Sequence, residues 1–487
     1  MQTISSKTSF TGVKLQAKRQ SRVVSRSCRK TVGVATPPEK RGNNKTVGSV
    51  DFYPGIEKIQ YEGPKSRNPL AFKHYNESEM VMGKTMKEWL RFSVAYWHTF
   101  RNGGQDPFGA ATHTWPWDDG SESVENAVHR VDAAFEFFTK LGNPYYCFHD
   151  IDVAPEGSSL AQDEKILETV TDKLLENQKA TGVKLLWATQ NMFSHPRWMN
   201  GAATNPDLRV YSYAAAKTKM ALEAGLKLGA ENHVFWGGRE GYQSTLNTDV
   251  KRELDHLAAF LHMVVDHKAK IGADYQLLIE PKPREPSKHQ YDYDAQTVMG
   301  FLHEYGLQDH FKINVEPNHT TLAGHDFEHD ILVSSLYGML GSVDCNTGDT
   351  LLGWDTDSFA LNVQQTAKVM MVILKQGGLA PGGLNFDCKV RRESTDLEDY
   401  FIAHIGGMDG FARALRVAAS IIAEGELDAM IAKRYSTFDS DLGRKIEAGE
   451  ASLEELAAYA ESIGEPPLVS GKQELFENIF TEHAYNS

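Results

Sequence analysis

FKINVEPNH, residues 311–319, is a run of strand-forming residues that ends in Glu316 and carries His319 three positions later. Other stretches share its plan. YQLLIEPK (275–282) ends its apolar run in Glu280, with Lys282 two further on; GSVDC (341–345) ends in Asp344, GGLNFDC (382–388) in Asp387, and LGWDTD (352–357) supplies Asp355 and Asp357. These runs are too hydrophobic to lie on a surface, so their terminal carboxylates are buried. An unpaired buried carboxylate costs roughly several kcal/mol, and pairing or a cation is the usual remedy. Lys282 shares a strand face with Glu280, but one lysine cannot compensate so many acids. Donors that are mostly carboxylate oxygen suit more than one hard divalent cation, Mg²⁺ or Mn²⁺, and His319 would admit Co²⁺ at one position.

From residue 90 onward, short β-rich runs alternate with helical patterns. The expected strands are 91–98, 145–149, 183–189, 233–237, 275–280, 311–316, 341–345 and 383–387, and between them lie segments such as 249–271, apolar at helical spacing and charged on the other face. Eight strands with functional groups at their C-terminal ends predict an α/β fold, a (β/α)₈ TIM barrel over residues 91–420 with its active site at that mouth. An open doubly wound sheet would bind at one switch point instead. Residues 46–90 form an N-terminal extension, and 421–487, acidic and Ala-rich as in EASLEELAAYAES, predict an extended helical oligomerisation arm packing on a neighbouring subunit.

The chain has 487 residues and a formal net charge of −14, which argues against nucleic acid or acidic membranes as partners. No apolar run reaches the roughly 18 residues needed to span a bilayer. Residues 1–45 differ: Arg, Lys, Ser and Thr dominate, and Glu39 is the only acid. This reads as the transit-like leader of a eukaryotic organelle protein, a plastid before a mitochondrion, with a disordered basic arm of a cytosolic protein as the alternative. Cys28 lies in that leader. Cys147, Cys345 and Cys388 sit in strand-like segments without a CxxC pair, as packing thiols in a reducing compartment.

Two further constellations fall at strand ends. In YYCFHDIDVAP, His149 ends a run and Asp152 follows within reach, the arrangement in which a carboxylate fixes an imidazole tautomer. Trp97, Trp187, Phe193 and Trp236 cluster at the same level and would wall a pocket against a sugar's C–H face. No GxGxxG or GxxxxGK[ST] follows a strand, so no nucleotide cofactor is expected.

The segments WHTF, DPFG, CFHDIDVAP, NMFSHPR, FWGGREGY, IEPKPREPSKHQYD, NVEPNHTTLAGH, GSVDCNTGD, LGWDTD and NFDCKVRR resemble those of xylose isomerases of the longer, class II form, from about residue 54 to nearly the C-terminus. The resemblance implies an aldose–ketose isomerase acting on D-xylose, more weakly on D-glucose, with two divalent cations per subunit in a homotetramer. By it, Glu280, Glu316, Asp344 and Asp387 hold one cation; Glu316, His319, Asp355 and Asp357 hold the second. His149, oriented by Asp152, helps open the cyclic sugar, and Lys282 binds the carbonyl oxygen. Trp97, Trp187, Thr189, Phe193, Val234 and Trp236 contact substrate, with Trp187 and Val234 at its far end, and Phe108 reaches into a neighbouring subunit's site. Pro317, Cys345, Cys388, His195 and Trp198 depart from the family pattern without replacing a ligand. A metal-dependent DNA phosphodiesterase on a similar barrel would carry more histidine ligands and a basic mouth, and a non-catalytic sugar binder would have lost a ligand, Lys282 or His149.

Overall fold

In the computed structural model, which describes residues 50–486, the strand-forming runs close into a parallel barrel in chain order. Its strands are β1 Phe92–Ala95, β2 Tyr145–His149, β3 Lys184–Thr189, β4 Asn232–Trp236, β5 Gln276–Glu280, β6 Phe311–Val315, β7 Leu340–Asp344 and β8 Leu384–Phe386. The ring closes through β8 on β1, with Leu384 opposite Phe92 and Phe386 opposite Val94, so the barrel keeps no open edge. Phe92 and Phe386 stack across that seam at 5.1 Å. The strands are buried on both faces, which is why they read as continuous apolar runs.

A helix follows each strand: α1 Val124–Leu141, α2 Leu160–Thr181, α3 Leu208–Leu228, α4 Val250–Lys270, α5 Ala295–Glu304, α6 His329–Leu336, α7 Val363–Gln376 and α8 Leu397–Glu424. Their ends follow local chemistry. Ser123 caps α1 by accepting from the Asn126 amide, and Gly142 ends it at φ 79°, a left-handed conformation that costs a side-chain-bearing residue about 1 kcal/mol or more. In α4, Ala258, Phe260, Leu261 and Val264 form the buried stripe that the spacing over 249–271 predicts.

Most strand ends fall within one residue of those expected, and the largest departure is at 91–98. β1 stops at Ala95, and Trp97–Arg101 form a π-helical turn. The cause is polar: Trp97 Nε1 donates to Asp387 Oδ1 at 3.0 Å and His98 Nε2 lies 2.8 Å from the same oxygen, so the chain bends across the barrel mouth.

The expected leader and Cys28 lie outside the described residues. The segment from residue 50 to β1 is tied to α8. Asp409 accepts the backbone N–H groups of Lys73, His74 and Tyr75 at 2.9, 2.8 and 2.7 Å, and Arg416 Nε donates to Glu79 Oε1 at 2.7 Å. α8 runs to Glu424 before Gly425 ends it at φ 69°. Helices α9 Glu426–Tyr435, α10 Asp441–Glu447, α11 Leu453–Ile463 and α12 Gln473–Asn486 follow. α12 returns to α8, where Ser420 Oγ meets His483 Nδ1 at 3.0 Å and Phe476, Ile479 and Phe480 pack on the core. α11 has no buried residue among those described. No described helix is long and apolar enough to cross a membrane.

Asp409→Ala strips three amide donors of their acceptor. The expected loss is about 2–4 kcal/mol of stability in urea unfolding; a midpoint unchanged from wild type would show that these bonds do not hold the N-terminal segment to α8.

Candidate active site

Strands β5 to β8 each deliver one carboxylate to the mouth. Glu280 and Asp344 are the last residues of β5 and β7, and Glu316 and Asp387 directly follow β6 and β8. One oxygen from each of these four lies within 4.8 Å of the others, and a second group with the same closeness comprises Glu316, Asp355 and Asp357. Glu316 therefore belongs to both. His319 lies on a short helix, Pro317–Leu322, that Glu316 introduces; its Nε2 stands 3.2 Å from Glu316 and 3.1 Å from Asp355. Asp357 is held at φ 44°, a left-handed conformation that Asp tolerates better than most residues.

These charges perturb one another strongly. Burial, reinforced by Asp344 and Asp387, pushes Glu280 far above the carboxylate range, and burial with Asp355 does the same to Glu316. Asp344 is raised to about 8 by burial and by Asp387. Asp355 goes the other way: burial raises it, but Lys282 and His319 outweigh burial and hold it well below the usual range. Lys282 Nζ lies 2.7 Å from Asp355 Oδ2.

The carboxylates are aimed by amides. Asn314 Nδ2 donates to Glu280 Oε2 at 3.0 Å and to Asp344 Oδ2 at 2.7 Å; Asn385 Nδ2 donates to Asp344 Oδ1 at 2.7 Å, and Asn346 Nδ2 to Glu316 Oε1 at 2.7 Å. Sequence reasoning missed all three, though a signal existed. Asn314, Asn346 and Asn385 each lie two residues from an acid, so they share its face on an extended chain.

His149 Nδ1 lies 2.9 Å from Asp152 Oδ2, which also accepts the His149 amide at 2.8 Å. This fixes Nδ1 as donor and leaves Nε2 toward the cavity. Around it the aromatic rings interlock: Trp97 meets His149 edge-on at 4.6 Å, and Phe193 meets His149 at 5.4 Å and Trp236 at 4.5 Å. Lys282 Nζ stands 5.2 Å over the Trp236 ring.

A cavity of ≈ 300 Å³ joins these groups. Trp97, His149, Trp187, Thr189, Phe193, Val234, Trp236, Lys282, His319 and the acids other than Asp344 and Asp152 line it; those two are buried behind the lining. Phe108 does not line this cavity; it is 82% exposed. His98, Glu285 and Lys389 line the cavity and were not foreseen. His98 lies 3.2 Å from Asp357 and 2.8 Å from Asp387; although burial opposes it, Asp357 and Asp387 raise it to about 9. Lys389 Nζ is 2.9 Å from Asp357. Both stand beside recognised residues, His98 next to Trp97 in WHTF and Lys389 two positions after Asp387 in NFDCKVRR.

The donor set fits divalent cations. It is carboxylate oxygen with one imidazole, converging from rigid strand ends, with carboxyls driven to hold protons that a dication would replace. By contrast, the three described cysteines are buried, and burial pushes each thiol far up, so they pack rather than ligate.

Residues 431–484 match the XylA2 C-terminal domain. The chain is 57% identical over 432 residues to a xylose isomerase of Rhodopirellula baltica, covering 88% of this chain and 98% of that one. It is 55% identical over 430 residues to a xylose isomerase of Arabidopsis thaliana, and 53% identical over 430 residues to one of Hordeum vulgare. Each of these matches covers 88% of this chain and 90% of the relative.

The raised groups set the stability of the cation-free protein. Asp344 binds its proton more tightly folded than unfolded between its ordinary 3.8 and about 8, and His98 does so between 6.5 and about 9. Both contributions are present at low pH and lost as pH rises through the folded values; those of Asp355 and Asp387, held low, are lost only on the acid side. Below pH 6.5 the buried neutral His233 and His404, lowered by burial to about 3 and about 4, work the other way, so the chelated protein should lose urea stability between about pH 6.5 and pH 9, and saturating Mg²⁺ should flatten the decline. A chelated midpoint that rises with pH over that window would contradict the crowding of the acids.

Proposed function

The chain belongs to the xylose isomerase family, and we propose that it interconverts D-xylose and D-xylulose, and D-glucose and D-fructose more weakly, by opening the sugar ring and shifting a hydride between C2 and C1. The observation that carries this reading is the sharing of Glu316 by two adjacent ligand groups in one cavity with Lys282 and the His149–Asp152 pair. Glu280, Glu316, Asp344 and Asp387 would hold one cation, and Glu316, His319, Asp355 and Asp357 the other. Mg²⁺, Mn²⁺ or Co²⁺, when bound, supplies positive charge to the two sugar oxygens whose carbons exchange the hydride.

His149 takes the proton of the anomeric hydroxyl at Nε2 and delivers it to the ring oxygen as the bond from C1 to that oxygen breaks, with Asp152 holding the tautomer. Lys282 donates to the open-chain carbonyl oxygen and stabilises charge there as the hydride arrives. The hydride passes from C2 to C1 with both electrons of its C–H bond while the hydroxyl proton of O2 is given up and one is gained at O1, so C2 becomes the carbonyl and C1 the alcohol. No external oxidant is required. The wall of Trp97, Phe193 and Trp236 excludes water and disfavours an enediol route, which exchanges protons with solvent. Trp187 and Val234, with Thr189 donating to Val234 O at 2.6 Å, close the far end against a longer sugar.

The mature enzyme acts as a homotetramer, a dimer of dimers, with Phe108 inserted beside a neighbour's cavity and the helices after Gly425 as the assembling arm. Supporting this, Phe108 lies 6.1 Å from Trp354 in an apolar surface that includes Leu351 and Leu352, all exposed. The basic leader directs the chain to an organelle, a plastid rather than a mitochondrion.

The first test strips the protein lacking residues 1–45 with chelator and follows D-xylulose formation from 2-deuterated D-xylose. Mg²⁺, Mn²⁺ or Co²⁺ should restore turnover with the deuterium retained at C1. Wash-out of the label would refute the hydride shift, and no turnover with metal bound and the oligomer intact would refute the substrate. Asp357→Asn should lower kcat by about 100-fold or more while sugar still binds.

Trp187→Phe should raise kcat/KM for D-glucose relative to D-xylose by roughly 10-fold, the worth of a small group in a pocket. An unchanged ratio would remove Trp187 from the specificity wall.

A further inference from the structure

A second set of metal-ligating side chains lies outside the barrel mouth, where the loop after helix Pro317–Leu322 meets the start of α6 and the start of α5. We propose that His325, His329 and Asp330 bind a third divalent cation of borderline character, Zn²⁺ in class, which staples this loop to the start of α6.

One ring nitrogen of each histidine and one oxygen of Asp330 lie within 4.8 Å of one another, and the His325 and His329 rings stack at 4.2 Å and 19°. Two buried atoms point to a missing partner. Asp330 is 3% exposed; one carboxylate oxygen accepts the Ala295 amide at 3.1 Å, while the other, Oδ1, has no hydrogen-bond partner among the described residues. His329 Nε2 is likewise buried without one. An orphaned acceptor and an orphaned imidazole nitrogen in one cluster are each costly, and a dication satisfies both.

The surroundings suit a metal ligand. Asp294 Oδ2 lies 3.1 Å from His325 Nε2, and Asp294 is itself anchored by accepting the Thr297 amide at 2.8 Å as the cap of α5. A carboxylate that takes one ring N–H of a histidine fixes its tautomer and frees the other nitrogen for a metal. Two imidazoles and one carboxylate favour Zn²⁺ over Mg²⁺. The His325 side chain is 27% exposed, giving the ion a path from solvent. The His325 amide donates to Thr320 O at 3.2 Å, so the staple would secure the end of the helix that presents His319.

This inference does not rest on the reading of the mouth. The test dialyses the chelator-stripped full chain against Zn²⁺ and counts ions. Wild type should retain about one more per chain than His329→Gln, and the variant's D-xylose turnover with Mg²⁺ should stay within about twofold of wild type. Equal stoichiometry overturns the proposal. Should the variant fail to fold, wild-type crystals grown with Mg²⁺ and soaked in Zn²⁺ decide through a zinc-edge anomalous map. A peak among His325, His329 and Asp330 supports the site; none there, at a concentration that fills the Glu316 cage, overturns it.

Discussion

Carboxylates brought within 4.8 Å of one another away from water repel by roughly 3–4 kcal/mol per ionised pair at an effective dielectric of about 20. The barrel mouth collects Glu280, Glu316, Asp344, Asp355, Asp357 and Asp387, against which stand Lys282, Lys389, His98 and His319. Protons partly relieve the imbalance, which is why Glu280, Glu316 and Asp344 hold theirs so tightly. A scaffold that assembles such a site needs strength elsewhere. The closed ring of strands, the stacked seam between Phe92 and Phe386, and the Asp409 contacts supply it.

The choice of amides to orient the acids follows from the same constraint. Lysine or arginine beside Glu280 or Asp344 would neutralise the charge that a cation needs. Asn314, Asn346 and Asn385 instead donate hydrogen bonds that fix each carboxylate oxygen and leave its charge available. Because each asparagine sits two residues from an acid, strand pleating alone aims both side chains to one side, and rigid barrel strands keep the geometry that loops would blur.

The barrel was legible because its strands are buried on both faces, so apolar runs ending in acids mark both the element and its functional end. His149 with Asp152 was legible from spacing taken together with their place at a strand end beside the acids. The π-helical turn at Trp97–Arg101 was not: WHTF continues the strand pattern, and only the long-range bonds of Trp97 and His98 to Asp387 divert it. Glu285 and Lys389 escaped notice because a single charged residue after a strand reads as solvated surface. Their roles come from neighbours brought near by barrel closure, as with Lys389 and Asp357 on different βα loops. Asp330 was unreadable for the same reason, since its pairing with the Ala295 amide joins two helices.

His98 shows how the two ligand groups are coupled beyond the shared Glu316. Its Nε2 spans Asp357 from one group and Asp387 from the other, and those two carboxylates hold its proton on to about pH 9. Charge drawn from either acid by a cation removes part of what holds that proton. Filling one proposed position would therefore loosen a positive charge that competes at the second, while withdrawing negative charge from Glu316 that both positions would use. The first effect favours loading the pair together and the second opposes it. Were two dications to share Glu316 as proposed, the imidazole close to both groups would offset some of their repulsion by releasing its proton.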